Sequence, residues 1–211
     1  MTNKSIKEYE KMVREIRRKV LHIFIGVVLL FLLNYKIINA LMIFLVIIIS
    51  GILSYIVRNY RIPIVSWFLK NFEREKELKS IPGKGFITFL IGVLLAIKLF
   101  PQEIALASIT ILIFGDSLSA IYGSFVGKKR ITWNKNKNIE GNLFGTIISG
   151  LCAALFIPLV SAFISAFSAM IFESFEIKMN EEIIDDNIIV PLVAGTTALL
   201  IRYYAPWINL I

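Results

Sequence analysis

The chain has 211 residues, is 57% hydrophobic and 18% charged, carries a net charge of +8 and has a mean hydropathy of +0.75. Soluble domains are about 45–50% apolar and about 25% charged. The composition therefore excludes a disordered chain and argues against a soluble globular domain, whose surface would not hide this much apolar area. Several runs approach the roughly 20 apolar residues that cross a bilayer, and the chain reads as an all-α, polytopic membrane protein.

Residues 1–19 carry Ile6, Tyr9, Val13, Ile16 and Val20 at steps of three and four, with Lys7, Lys11, Arg14 and Arg18 on the other face. That pattern predicts an amphipathic helix at the membrane interface, running into a first span at 20–33. This run ends in Asn34-Tyr35-Lys36 without a small-residue cleavage site, so it is read as a retained span. A second span follows at 37–57. The mixed segment 58–85 holds Ile62–Leu69, too short to cross and assigned to the interface. Spans three and four are predicted at 86–100 and 104–126, joined by Pro101-Gln102-Glu103, with a polar loop at 127–142. The apolar run 143–172 would be about 45 Å long as one helix, against a hydrocarbon core of about 30 Å. Two short crossings turning near Pro158 are expected instead. An acidic stretch, 173–187, precedes a last span at 188–204, which makes about seven spans in a single unit, 20–211.

Basic residues concentrate in three segments: seven in 1–19, seven in 58–85 and five in 127–142. The connections between them hold only Lys36 and Lys98. The positive-inside rule puts the N-terminus and the basic loops in the cytoplasm, with the protein multi-pass in the cell membrane. Because the cations lie between apolar runs, anionic membrane lipid accounts for them better than nucleic acid. Cys152, the one cysteine, permits no disulfide within the chain.

All the long polar segments fall on one side. A transporter more often places polar groups along a path through the midplane, whereas an enzyme that brings a lipid to a soluble cosubstrate needs them at one face. Asp116 is the sharpest feature, because a carboxylate near the centre of a span costs about 2.5–3.5 kcal/mol on insertion scales. On a helix Asp116, Ala120, Gly123 and Gly127 share a face of small side chains. Such a face admits a phosphate with its metal, Asp116 holding Mg²⁺; it equally suits close helix packing through Gly123-x-x-x-Gly127. Lys128 and Lys129 follow at once, and Lys84 sits in the turn Pro82-Gly83-Lys84-Gly85; both places suit phosphate contacts. Glu173, Asp185, Asp186 and Asn187 add oxygen ligands at the same face. His22, one turn into the first span, is a candidate phosphate or headgroup contact.

Taken in order, these motifs resemble the CTP-dependent lipid-alcohol kinases, a family that includes dolichol kinase, phytol kinase and the CTP-using diacylglycerol kinase. Arg18-Lys19-Val20-Leu21-His22 is similar to the family's opening Arg-Lys-x-x-His. Gly115-Asp116-Ser117-Leu118-Ser119-Ala120, then Gly123 and Gly127-Lys128, resembles its central block. Lys137-Asn138-Ile139-Glu140-Gly141-Asn142 is similar to Lys-Ser-x-Glu-Gly-Ser, with Asn138 and Asn142 in the place of serines. Glu173-Ser174 and Asp185-Asp186-Asn187-Ile188-Ile189-Val190-Pro191 complete the pattern. The resemblance implies transfer of the γ-phosphate of CTP, with Mg²⁺, to the hydroxyl of a lipid alcohol such as a polyprenol, a phytol-like alcohol or diacylglycerol. It implies Asp116 and Asp186 in metal or base work, Asp185 as a further metal ligand and Glu173 as the base. Lys84, Gly123, Gly127, Lys128, Lys129, Lys137, Glu140, Asn187 and His22 would surround the nucleotide. The choice of CTP rests on the resemblance alone. Two other readings compete: a phosphatidate cytidylyltransferase, whose Pro-Gly-His-Gly-Gly and Asp-Arg elements are missing here, and a small ion-coupled transporter with Asp116 as its ion site.

Overall fold

The structure is a computed structural model that describes residues 3–60, 62–179 and 182–207. Helix α1 runs unbroken over Asn3–Asn34, so the basic N-terminal segment and the first apolar run form one element. Ile6, Tyr9 and Val20 of its apolar stripe face outward from the protein. Helix α2, Ala40–Asn59, starts at Asn39, whose side chain accepts a hydrogen bond from the Met42 amide at 3.0 Å. The segment read as interfacial is α3, Pro63–Phe72, with proline in its first turn; α4, Glu75–Ser80, follows. Gly83, in the left-handed region at φ 83°, turns the chain into α5, Lys84–Leu99, a conformation that only glycine adopts at no steric cost.

The next helix is continuous over Gln102–Val126 but changes pitch midway. It comprises α6, Gln102–Ile111, a π-helical turn, Leu112–Asp116, and α7, Ser117–Val126. The loop predicted at 127–142 is instead a small antiparallel hairpin, β1, Arg130–Ile131, with β2, Asn134–Asn138. The long apolar run is two helices, α8, Ile139–Ala153, and α9, Leu159–Glu173, meeting at Pro158. A short turn over 154–157 joins them, and Pro158 is the N-cap of α9, a place where its missing N–H costs nothing. The acidic stretch holds a second hairpin, β3, Lys178–Met179, with β4, Glu182–Ile183, before α10, Asp186–Tyr204. The described residues are thus mostly helical, with two hairpins that apolar periodicity did not announce, because three of the four strands are only two residues long and the longer β2 is polar throughout.

Among the described residues three helices are long and apolar enough to cross a membrane, Ala40–Asn59, Gln102–Val126 and Asp186–Tyr204. They differ in surroundings. In an 18-residue apolar stretch of the α6–α7 helix 78% of the residues are buried within the protein, and in that of α2 only 11%. Ile104–Ile113 are all buried, forming the axis around which α1, α5, α8, α9 and α10 pack. On α2, Leu41, Phe44, Leu45, Ile48, Ile49 and Ile52 are exposed, as expected of a helix whose solvent is lipid.

The helices alternate in direction. Arg202 near the end of α10 contacts Glu103 at the start of α6, at 3.4 Å. The tight connections at 35–39, 100–101 and 154–158 lie at that end, and both hairpins lie at the other. Close packing needs glycine at one contact above all. A Cβ on Gly92 of α5 would collide with the backbone carbonyl of Asn187 on α10. Gly92→Ala is therefore expected to lower the melting temperature of the detergent-purified protein, by an amount equivalent to about 1–3 kcal/mol of overpacking. Gly51→Ala, where a Cβ meets open space, is the control and should melt no lower than wild type. Equal melting of the two variants would refute the contact.

Candidate active site

The hairpin end brings six elements together. The π-helical turn carries Asp116 into the interior, where its carboxylate accepts a hydrogen bond from the Lys19 ammonium of α1. Both residues are buried, at 4% and 6% exposure. Removing one partner of such a pair strands a charge away from water. Gly115 permits the turn to pack: a Cβ there would stand 2.8 Å from Met170 Sδ and 3.3 Å from Ser149 Oγ. π-Helical turns within α-helices recur at functional sites.

Glu173, at the end of α9, and Asp186, at the start of α10, face Asp116. One oxygen from each of the three carboxylates lies within 4.8 Å of the others. At that separation each pair repels by about 3.5 kcal/mol at an effective dielectric of about 20, so cations must share the space. Lys137 of β2 is one. Its Nζ lies 2.5 Å from Glu173 Oε1 and 3.0 Å from Asp186 Oδ2, and it also donates to the Glu173 backbone carbonyl. Burial works against the Lys137 charge, but Glu173 and Asp186 outweigh it and hold the ammonium above its ordinary lysine value. Asn142 of α8 donates to the Met170 carbonyl at 2.8 Å and reaches Glu173 Oε2 at 3.5 Å. Three carboxylates from separate elements suit a hard divalent cation, which takes oxygen ligands.

The remaining sequence-selected residues surround this cluster in different ways. Asp185 is the N-cap of α10; its carboxylate accepts from the Asn187 amide at 3.0 Å. The Asn187 side chain spans to α5, donating to the Gly85 carbonyl and to Thr88 Oγ1, each at 3.2 Å. The small faces of Gly123 and Gly127 are filled by Asn138, whose side-chain nitrogen donates to the Gly123 carbonyl at 2.9 Å. These glycines thus hold the hairpin against α7. Glu140 reaches back to the Lys129 amide, 3.1 and 3.2 Å from its two oxygens, and fixes the turn that exposes Lys128 and Lys129. His22 packs edge-on against Phe89, and its Nε2 is buried with no hydrogen-bond partner among the described residues. Sequence reasoning passed over Lys19 as a site residue. The signal was its spacing: Ile16, Lys19 and His22 follow steps of three, which put both polar residues on the inward side of α1.

Lys84 opens α5 beside a second charged group. Arg74 bonds Glu15 at 2.9 Å, and Arg18 bonds Glu15 at 2.6 Å. Burial alone would raise Glu15, but Arg18 and Arg74 outweigh it and hold its carboxyl well below the usual range. Glu73 anchors the Gly83 turn, both its oxygens accepting from the Gly83 amide at 2.7 and 2.8 Å. Burial pushes the Glu73 carboxyl up from an ordinary 4.5 to about 7. The folded state therefore holds this proton more tightly than the unfolded chain. Its contribution is present in full below about pH 4.5 and is lost as pH rises through about 7. The melting temperature of wild type should fall between pH 5 and 7.5 more steeply than that of Glu73→Gln; parallel profiles would contradict this.

No family model matches the chain, and no solved structure matches it. Among curated proteins, the uncharacterized protein MJ1137 of Methanocaldococcus jannaschii is 35% identical over 186 residues, covering 86% of this chain and 91% of that one. The CTP-dependent diacylglycerol kinase 1 of Schizosaccharomyces pombe is 26% identical over 147 residues, 60% of this chain. That match spans 64% of the yeast kinase's own length. The chain therefore belongs to the same family as the Methanocaldococcus protein and is a distant relative of a CTP-dependent diacylglycerol kinase.

Proposed function

We propose that this protein is a multi-pass membrane kinase that transfers the γ-phosphate of CTP to the hydroxyl of a lipid alcohol at the cytoplasmic face. The observation that carries the reading is the cluster of Asp116, Glu173 and Asp186, drawn from three elements at one end of an apolar bundle and bridged by Lys137. The distant likeness to a CTP-dependent diacylglycerol kinase points the same way. In the proposed topology α1, α2, α5, α6–α7, α8, α9 and α10 cross the membrane, with the N-terminus and both hairpins inside. This places the basic segments on the side that the positive-inside rule requires.

Asp116 and Asp186 would hold Mg²⁺, which when bound offsets the charge of the phosphate chain. Lys128, Lys129 and Lys84, at the same end, meet phosphate oxygens. The lipid alcohol, diffusing in the bilayer, presents its hydroxyl between the helices. Glu173 takes the hydroxyl proton as the alcohol oxygen bonds to the γ-phosphorus, and the bond to the β-phosphate oxygen breaks, releasing CDP. Lys137 keeps Glu173 and Asp186 at fixed positions, consistent with phosphoryl transfer being chiefly a matter of positioning and charge. The side of α6 away from the cluster favours an enzyme over a transporter. From Ile104 to Ile113 its residues are buried, and the hydroxyls of Ser108 and Thr110 bond back to carbonyls of their own helix.

Asp116→Asn and Asp186→Asn are expected to lower transfer at least about 100-fold, the scale of losing a group that stabilises transition-state charge. Both are expected to insert; Asp116→Asn leaves the buried Lys19 ammonium without its partner and is expected to melt lower than wild type, so transfer is compared below that melting temperature. Full transfer by either variant would remove that aspartate from the reaction.

A further inference from the structure

Resting on the metal and nucleotide reading above, we propose that Lys19 is the exchangeable cation of the carboxylate cluster. It neutralises Asp116 in the absence of a divalent ion and swings to the phosphate chain when one is bound. Charge balance is the first argument. Asp116, Glu173 and Asp186 meet Lys19 and Lys137, which with all five ionised leaves one negative charge on a cluster whose Asp116, Glu173 and Lys19 are buried. A divalent cation added beside both lysines would leave one positive charge there. With Lys19 withdrawn the cluster is neutral, and the displaced ammonium is available to an anion.

The anchoring of the two lysines differs. Lys137 is tied to the Glu173 carboxylate, to the Glu173 backbone carbonyl and to Asp186. The hydrogen-bond partner of Lys19 among the described residues is Asp116. Asp116 comes from the π-helical turn of the most buried helix, hemmed in by Met170 and Ser149 through Gly115, so the flexible four-carbon stem of the lysine is the part free to move. An ammonium and a divalent ion on one carboxylate would repel each other at close range, so occupancy of Asp116 by one disfavours the other. Lys19 stands midway along α1 next to Arg18, whose guanidinium lies near Gly85, so the released cation has the start of α5, with Lys84, on its own side of the bundle.

The test uses the full-length protein in detergent without nucleotide or lipid, with Mn²⁺ as the probe and free Mn²⁺ read by electron paramagnetic resonance. Lys19→Met should bind Mn²⁺ at least about tenfold more tightly than wild type, because its competitor is gone. Lys19→Arg, which keeps the charge, should not. Equal or weaker binding by Lys19→Met overturns the proposal. A second measurement on wild type covers the case in which Lys19→Met fails to fold. Acetylation of Lys19, read by mass spectrometry, should rise several-fold when Mg²⁺ is added, while acetylation of Lys137 does not. Lys19 protected equally with and without Mg²⁺ overturns the proposal as well. Phosphate transfer is assayed separately. A kinase without this exchange would lose the present inference alone, and exchange without transfer would lose the kinase reading alone.

Discussion

The charge on Asp116 is the constraint around which the hairpin end of this protein is built. The carboxylate sits on the most enclosed helix of the bundle, ten residues from that helix's end. Little of it is open to solvent, so the chain must bring cations to it. Lys19 arrives from α1, and Lys137 arrives from β2 to serve the neighbouring Glu173 and Asp186. Each cation dictates structure at a distance. Lys19 requires α1 to lie along α7, and Lys137 requires the first hairpin to fold back over the ends of α9 and α10. The glycines and asparagines follow from the same need: Gly123, Gly127 and Gly141 give Asn138 room to hold the hairpin down, and Asn187 ties α10 to α5.

Viewed this way, the two ends of the bundle answer different demands. At the far end short turns join helices with little polar contact beyond the exposed pair Arg202–Glu103. At the hairpin end polar groups are buried, crowded and mutually bonded. That crowding is costly unless every charge has a partner, and three carboxylates balanced by two lysines still carry a negative charge that suits a divalent cation. On the proposed reading the energy of holding three carboxylates together is what draws in the metal with its nucleotide.

Much of this was legible in the sequence. The apolar runs gave the helices, and the length of 143–172 with Pro158 gave its break into α8 and α9, because a single helix would outrun the bilayer. Asp116 stood out because an intramembrane carboxylate is expensive, and Glu173, Asp186 and Lys137 were selected from a motif pattern before any geometry joined them. The hairpins were not legible: Asn134–Asn138 is polar at every position, so no period-two pattern marks it as a strand. The π-helical turn was not legible either, since one residue of extra pitch leaves no mark on hydropathy. Nor was the occupant of the small-residue face legible: Gly123 and Gly127 turn toward Asn138, which the first hairpin brings back from 11 or more positions away. Lys19 was overlooked because a lysine at the edge of a basic segment reads as a headgroup anchor; its spacing from Ile16 and His22 is a faint sign of an inward side, and its partner, 97 positions away, makes that side plain.

The most direct measurement follows label from CTP. Purified protein, Mg²⁺ and a panel of polyprenol, phytol, diacylglycerol and phosphatidate would be incubated with CTP labelled at either the α or the γ phosphate. A lipid-alcohol kinase puts γ label on one of the alcohols and no α label on any lipid. Label from the α position on phosphatidate would contradict the kinase reading and make the same carboxylate cluster the centre of a cytidylyl transfer.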